Sequence, residues 1–215
     1  METFAFVMRG GFMMIPILLS FLAALSLILE RLVAFHKTYA TPPDFTRRVL
    51  TGLEQGRRAE AEKACQEQAR PVCLVLGAGI AHLEDSLEEM ELAMKNEAES
   101  WVPRLERYLH VVDTVITAAP LMGLLGTILG MIGSFNILST SGMNQPSAIT
   151  GGVAEALIAT ATGLVVALVC LVAYNGLNAR VKEFIYEMES AASRLVELRH
   201  GLERRKAHAD TAAAR

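Results

Sequence analysis

Residues 114–154 read TVITAAPLMGLLGTILGMIGSFNILSTSGMNQPSAITGGVA, and residues 156–179 read ALIATATGLVVALVCLVAYNGLNA, with Glu155 alone between them. Neither stretch holds a charged side chain. A helix needs about 20 apolar residues to cross a hydrocarbon core about 30 Å thick. The first stretch is too long for one crossing, and Ser139-Thr-Ser-Gly-Met-Asn-Gln-Pro146 within it is turn chemistry. It therefore divides into a membrane helix over 111–138 and a hairpin over 139–150, and a further membrane helix follows over 151–179. Gly10 to Leu29 is a third uncharged run, which places a crossing over 12–33, closed by Glu30-Arg31. With no basic start and no small-residue cleavage site, that first run reads as a retained anchor rather than a signal peptide. The fold class expected is an all-α membrane protein with three transmembrane helices.

The 215-residue chain carries 20 Lys+Arg against 23 Asp+Glu, a formal charge of −3, and 52% hydrophobic residues. Its mean hydropathy is +0.34. A disordered chain and a nucleic-acid module are excluded by that hydrophobicity and that charge. A soluble domain of this size has no core able to bury three such runs on every side. Basic residues then orient the helices. Residues 30–113 hold 11 Lys+Arg and residues 180–215 hold 8, whereas the N-terminal segment has only Arg9 and the hairpin none. The N-terminal segment 1–11 and the hairpin are therefore expected outside, with the loop 34–110 and the tail 180–215 in the cytoplasm.

The cytoplasmic parts read as helical. Ser86-Leu-Glu-Glu89 has the form of a capping box. After it, Leu87, Met90, Met94, Ala98, Trp101, Leu105, Tyr108 and Val112 recur at steps of three or four, one apolar face of a helix. Only Pro103 interrupts this stripe, so the second membrane helix is expected to extend into the cytoplasm with no more than a bend. A more polar helix is expected over 44–69. The third helix also continues, because Val181, Met188, Leu195 and Leu202 recur at sevens with Phe184, Ala191 and Leu198 between them. That pattern suits packing on the chain's own loop as well as packing in an oligomer.

No catalytic constellation stands out. Cys65, Cys73 and Cys170 lack zinc-ligand spacing, and the five histidines are scattered. The glycines of 123–133 lie inside a membrane helix, where they serve packing rather than phosphate binding. Neither an enzyme nor a cofactor is expected.

A thread of polar atoms remains inside the membrane. Pro120, Thr127 and Ser134 are seven apart and share a face of the second helix. Gly123, Gly126 and Gly130 surround Thr127 with small surfaces that let another backbone approach. In the third helix, Glu155 and Thr162 share a face, Thr160 is offset, and Ala159, Gly163 and Ala167 form a ridge of small residues. An ionisable group in a bilayer costs a few kcal/mol, about 2.5–3.5 for Asp, Lys or Arg at the centre of a helix, which marks Glu155 as a functional candidate. Its bland reading is a shallow packing or capping group near the hairpin. For the threonines the bland reading is a bond to their own i−4 carbonyl. The alternative is a set of hydroxyls that hold water or pass a proton.

The blocks Ala119-Pro120-Leu-Met-Gly123-Leu-Leu-Gly126-Thr127-Ile-Leu-Gly130-Met-Ile-Gly-Ser134-Phe135 and Gly152-Val-Ala-Glu155-Ala-Leu-Ile-Ala-Thr160-Ala-Thr-Gly163-Leu resemble the TolQ/ExbB/MotA proton-channel family. The resemblance covers roughly 113–181, with both blocks in order and at the expected gap. Three crossings and a short N-terminal segment fit the TolQ/ExbB branch. The resemblance implies an inner-membrane homopentamer whose pore is lined by the second and third helices. It implies two copies of an ExbD- or TolR-like single-span partner, each with a membrane aspartate, inside that pore. It also implies a TonB- or TolA-like protein as recipient of the work, with lipids around the ring and no nucleic acid. By motif position, Thr127, Glu155 and Thr160 carry the ion path. Thr162 departs from the small or apolar residue expected there and leaves sodium open beside protons. A scaffold that stabilises a single-span partner without conducting is the alternative.

Overall fold

The computed structural model describes residues 10–42, 44–68, 70–141 and 146–213. Among them every regular element is a helix. The elements are α1 (Met14–Ala34) with a π-helical turn Phe35–Tyr39 behind it, α2 (Phe45–Glu54), α3 (Arg58–Glu67), α4 (Pro71–Ala81), α5 (Leu87–Leu105), α6 (Leu109–Ser141) and α7 (Pro146–Ala213). Among the described residues three helical paths are long and apolar enough to cross a membrane: Met14–Lys37, Leu87–Ser139 and Thr150–Arg205. Arg9 and the centre of the expected hairpin, residues 142–145, lie outside the described residues. The chain forms two compact units, Met1–Leu32 with Tyr108–Asn178, and Val33–Arg107 with Ala179–Arg215.

The first unit holds α1, α6 and the first half of α7. Its surface is apolar: Leu19, Leu121, Phe135, Leu157, Leu168 and Val172 are all more than 60% exposed. Such a surface is unstable in water and suited to lipid. Inside, α6 and α7 approach along their small residues. A Cβ added at Gly123 would stand 2.9 Å from Thr160 Cα, and one at Gly130 would stand 2.9 Å from Ala156 Cβ. One at Gly163 would collide with the Ala119 carbonyl. The glycine face of α6 is thus spent on α7 of the same chain. At the other end of α1, Arg31 is 3% exposed, pairs with Glu30 at 2.8 Å and lies 5.5 Å from the Tyr108 ring centroid.

The second unit is built on the tail of α7. Val181, Phe184, Met188, Ala191 and Leu195 are buried. Phe184 meets Phe35 at 5.6 Å and Tyr39 at 6.3 Å between ring centroids. Leu195 and Met94 close over Gly79, where a Cβ would be 2.6 Å from either side chain. The heptad stripe therefore packs on the chain's own loop. Arg199, 9% exposed, caps this arrangement by donating to the Asp85 carbonyl and pairing with Glu203 at 2.9 Å.

Two details differ from the sequence expectations. The helical path of Leu87–Ser139 is interrupted at 106–108, where Tyr108 takes a positive φ of 67°. The break falls three residues beyond Pro103, which α5 accommodates in its last turn. The helix expected over 44–69 is instead α2 and α3, parted by Gly56 at φ 76°, a left-handed turn that glycine adopts without steric cost.

Candidate functional site: the threonine face of α6 and α7

The α6–α7 contact fixes which way each polar side chain points. On α7 it runs through Gly152, Ala156, Ala159 and Gly163, and on α6 through Ala119, Gly123, Gly126, Gly130 and Ser134. At about 100° per residue, Thr160 lies roughly 70° to one side of the α7 contact line, and Thr127 lies roughly 60° to the same side on antiparallel α6. Glu155 and Thr162 fall about 70° and 90° to the opposite side by the same count. The contacts of α1 agree. Met13 approaches Gly126, Gly10 approaches Ile158, and the Glu155 carboxylate occupies the space a Gly11 side chain would need. The polar thread therefore splits. Thr127 and Thr160 share the side away from α1, and Glu155 and Thr162 share the side that α1 covers.

On the open side, Thr160 Oγ1 donates to the Gly123 carbonyl at 2.8 Å, a bond between helices. Such bonds in membranes contribute about 0.6 kcal/mol on average, with a maximum near 1.7. It forms only because Gly123 lets the Thr160 backbone come so close. Thr127 Oγ1 donates to its own helix, at Leu124 O, 2.7 Å away. Both side chains are half-buried, and each keeps acceptor capacity after its proton is used. The pairings 119 with 163, 126 with 159 and 130 with 156 set the depth. Thr127 then stands about three residues, roughly 4.5 Å, from the level of Thr160.

Pro120 sits mid-helix in α6. Having no N–H, it leaves the Ile116 carbonyl without its i+4 donor, a further acceptor on this side.

On the α1 side, Glu155 is exposed and opens onto a cleft of about 410 Å³ floored by Gly130, Gly133 and Gly152 and walled by Met13 and Ser134. Gly11, at φ 70°, and the start of α1 stand next to the carboxylate. The positive end of a helix dipole favours a negative group there. Thr162 Oγ1 is bonded to Ile158 O at 2.8 Å, within its own turn. Ser134 likewise bonds Gly130 O at 3.0 Å and is 4% exposed. Spacing alone does not disclose the place of Gly11 and Met13, because the contact joins residues some 110–145 positions apart.

Among the described residues no group of three or more His, Cys, Asp or Glu could hold a metal ion. Cys65 and Cys73 are buried between α3 and α4, and burial pushes their thiols up to about 12 and about 11.

The model of the MotA/TolQ/ExbB proton channel family matches residues 61–190, which include the whole α6–α7 contact. The chain belongs to the MotA/TolQ/ExbB proton channel family. Within it, the biopolymer transport protein ExbB-like 3 of Synechocystis is 31% identical over 170 residues, 78% of this chain and 81% of that protein. The Tol-Pal system protein TolQ of Haemophilus influenzae is 39% identical over 101 residues, 47% of this chain and 42% of that protein. The biopolymer transport protein ExbB of Aquifex aeolicus is 40% identical over 86 residues, 40% of this chain and 58% of that protein. Membership of the TolQ/ExbB branch and three apolar helices make this a multi-pass membrane protein.

Proposed function

We propose that the chain is the channel-forming subunit of an inner-membrane assembly that converts ion flow into work on the periplasmic or outer-membrane side, as in TonB-dependent uptake or Tol–Pal maintenance. The observation that carries this reading is the half-exposed Thr127–Thr160 face, which α1 leaves uncovered among the described residues. Five copies arranged around an axis turn that face inward as a ring of hydroxyls. Two single-span helices of an ExbD- or TolR-like partner, each with a membrane aspartate, fill the ring, and a TonB- or TolA-like protein receives the work. The N-terminal segment and the hairpin face the periplasm in this reading.

Protons are the ion. A hydroxyl passes a proton but stores no charge, so the partner's aspartate holds it between steps. Thr162, the residue that leaves sodium open, has its hydroxyl bonded to its own helix on the other side. Glu155 supports the path from the cleft beside α1. One charge falling through 100 mV releases about 2.3 kcal/mol, enough to bias a conformational step but too little to rupture a large interface. Several protons per task are therefore required.

The decisive measurement is the mass of the detergent-solubilised complex with and without the co-expressed single-span partner. A pentamer holding two partner copies supports the reading. A monomer or dimer indifferent to the partner removes the pore and leaves the scaffold role.

A further inference from the structure

The threonine side of α6 continues beyond Thr127 toward the start of the helix. Counting from the α6 contact line, Pro120 lies about 80° and Asp113 about 100° to the side on which Thr127 lies, with Thr117 at about 140° and His110 at about 160°, near the face opposite α7. Asp113, Thr117 and His110 are exposed. Thr117 Oγ1 is bonded to Thr114 O at 2.9 Å within its own helix. The Asp113 carboxylate and the His110 ring make no hydrogen bond or ion pair with any described residue. Asp113 lies 14 residues from Thr127, about 21 Å along the axis. Between them stand the Thr117 hydroxyl, the Ile116 carbonyl released by Pro120 and, on α7, the bond of Thr160 to Gly123. Glu155, by contrast, sits on the α1 side, about 24 Å further along by the pairing of the two helices.

We infer that Asp113 is this chain's own carboxylate on the ion path, placed at the Leu109 end of α6, where it accepts protons leaving the threonine ring. The inference rests on the proposed channel function and names a residue for it. A carboxylate at that mouth attracts cations and exchanges protons with water. The unpaired state and open side of Asp113 suit that task. A structural acid near a helix N-terminus serves the helix dipole, and its removal shows in stability and assembly, not in conduction per assembled complex.

The test uses the full complex with its single-span partner, reconstituted in vesicles carrying a proton-sensitive dye. The variants are Asp113→Asn and Asp113→Glu, and complex mass serves as the assembly control. Flux per assembled complex is expected to fall at least tenfold in Asp113→Asn and to recover to within threefold of wild type in Asp113→Glu. The residual Asn flux is also expected to lose its dependence on pH at the side facing Leu109. Wild-type flux in assembled Asp113→Asn overturns the inference and leaves the channel reading standing. Absence of flux in the wild-type complex overturns both.

Discussion

Thr160 shows how much one position can carry. Its hydroxyl reaches the Gly123 carbonyl at 2.8 Å because no side chain stands between the helices there. Thr160→Ser keeps the donor and is expected to conduct. Thr160→Val removes it, and is expected to leave complex mass unchanged while abolishing proton flux. Normal flux in the valine variant would sink the role proposed for that residue. Gly123→Ala puts a methyl 2.9 Å from the Thr160 Cα, backbone that cannot step aside. It is expected to destabilise the unit by about 1–3 kcal/mol, read as a lower midpoint of thermal unfolding in detergent. Gly133→Ala, on the same helix with open space around its Cβ, is the control and is expected to leave the midpoint unlowered. The sequence made these residues legible by type and spacing: Thr160, Gly123, Gly126 and Gly130 lie at the α6–α7 contact, with Thr127 beside it. It did not show that Glu155 turns to the opposite side from Thr160, because the 140° offset between them acquires a meaning only once α1 chooses a side.

At the scale of elements, starts are easier to read than breaks. The capping box of α5 forms as its spacing predicts, with Ser86 Oγ accepting from Glu89 N at 3.2 Å and the Glu89 carboxylate accepting from Ser86 N at 2.9 Å. The Ser86 hydroxyl, which donates to the Glu89 carboxylate at 2.7 Å, and then the Ser86 N–H hold the Glu89 carboxyl below the usual range. Ser86→Ala is expected to cost about 1 kcal/mol, measured by chemical unfolding of the full chain. The break before α6 has no comparable signature. Tyr108 adopts its positive φ of 67° beside Arg31, a residue from another element that sits over its ring. Nor did the spacing over 44–69 show that Gly56 divides α2 from α3 by its left-handed turn. In the α3–α4 pair, burial holds Cys65 and Cys73 as neutral thiols. The sign follows. The unfolded chain gives up those protons from about pH 9, where free thiols ionise, while the folded pair resists until about 11–12. Their contribution to stability is complete below pH 9 and fades above it. A Cys65→Ala, Cys73→Ala variant is expected to lose less stability between pH 9 and 11 than the native chain, and an equal loss in both proteins would refute the assignment.

For the whole molecule, the three crossings came from uncharged runs alone, since a bilayer tolerates few alternatives to a closed helix. The size of the proposed assembly leaves no such trace: a ring depends on the angle between copies, which no single-chain periodicity encodes. Collapse of the membrane potential is expected to stop the work of the complex without changing its mass. A scaffold would keep working. In the proposed channel, the bond between Thr160 and Gly123 is one that every relayed proton must break. A hydroxyl that has relayed one proton ends with its hydrogen pointing the other way. On that reading it must swing back to the Gly123 carbonyl before it relays again, and each copy of the chain would carry a latch to be re-cocked after every ion.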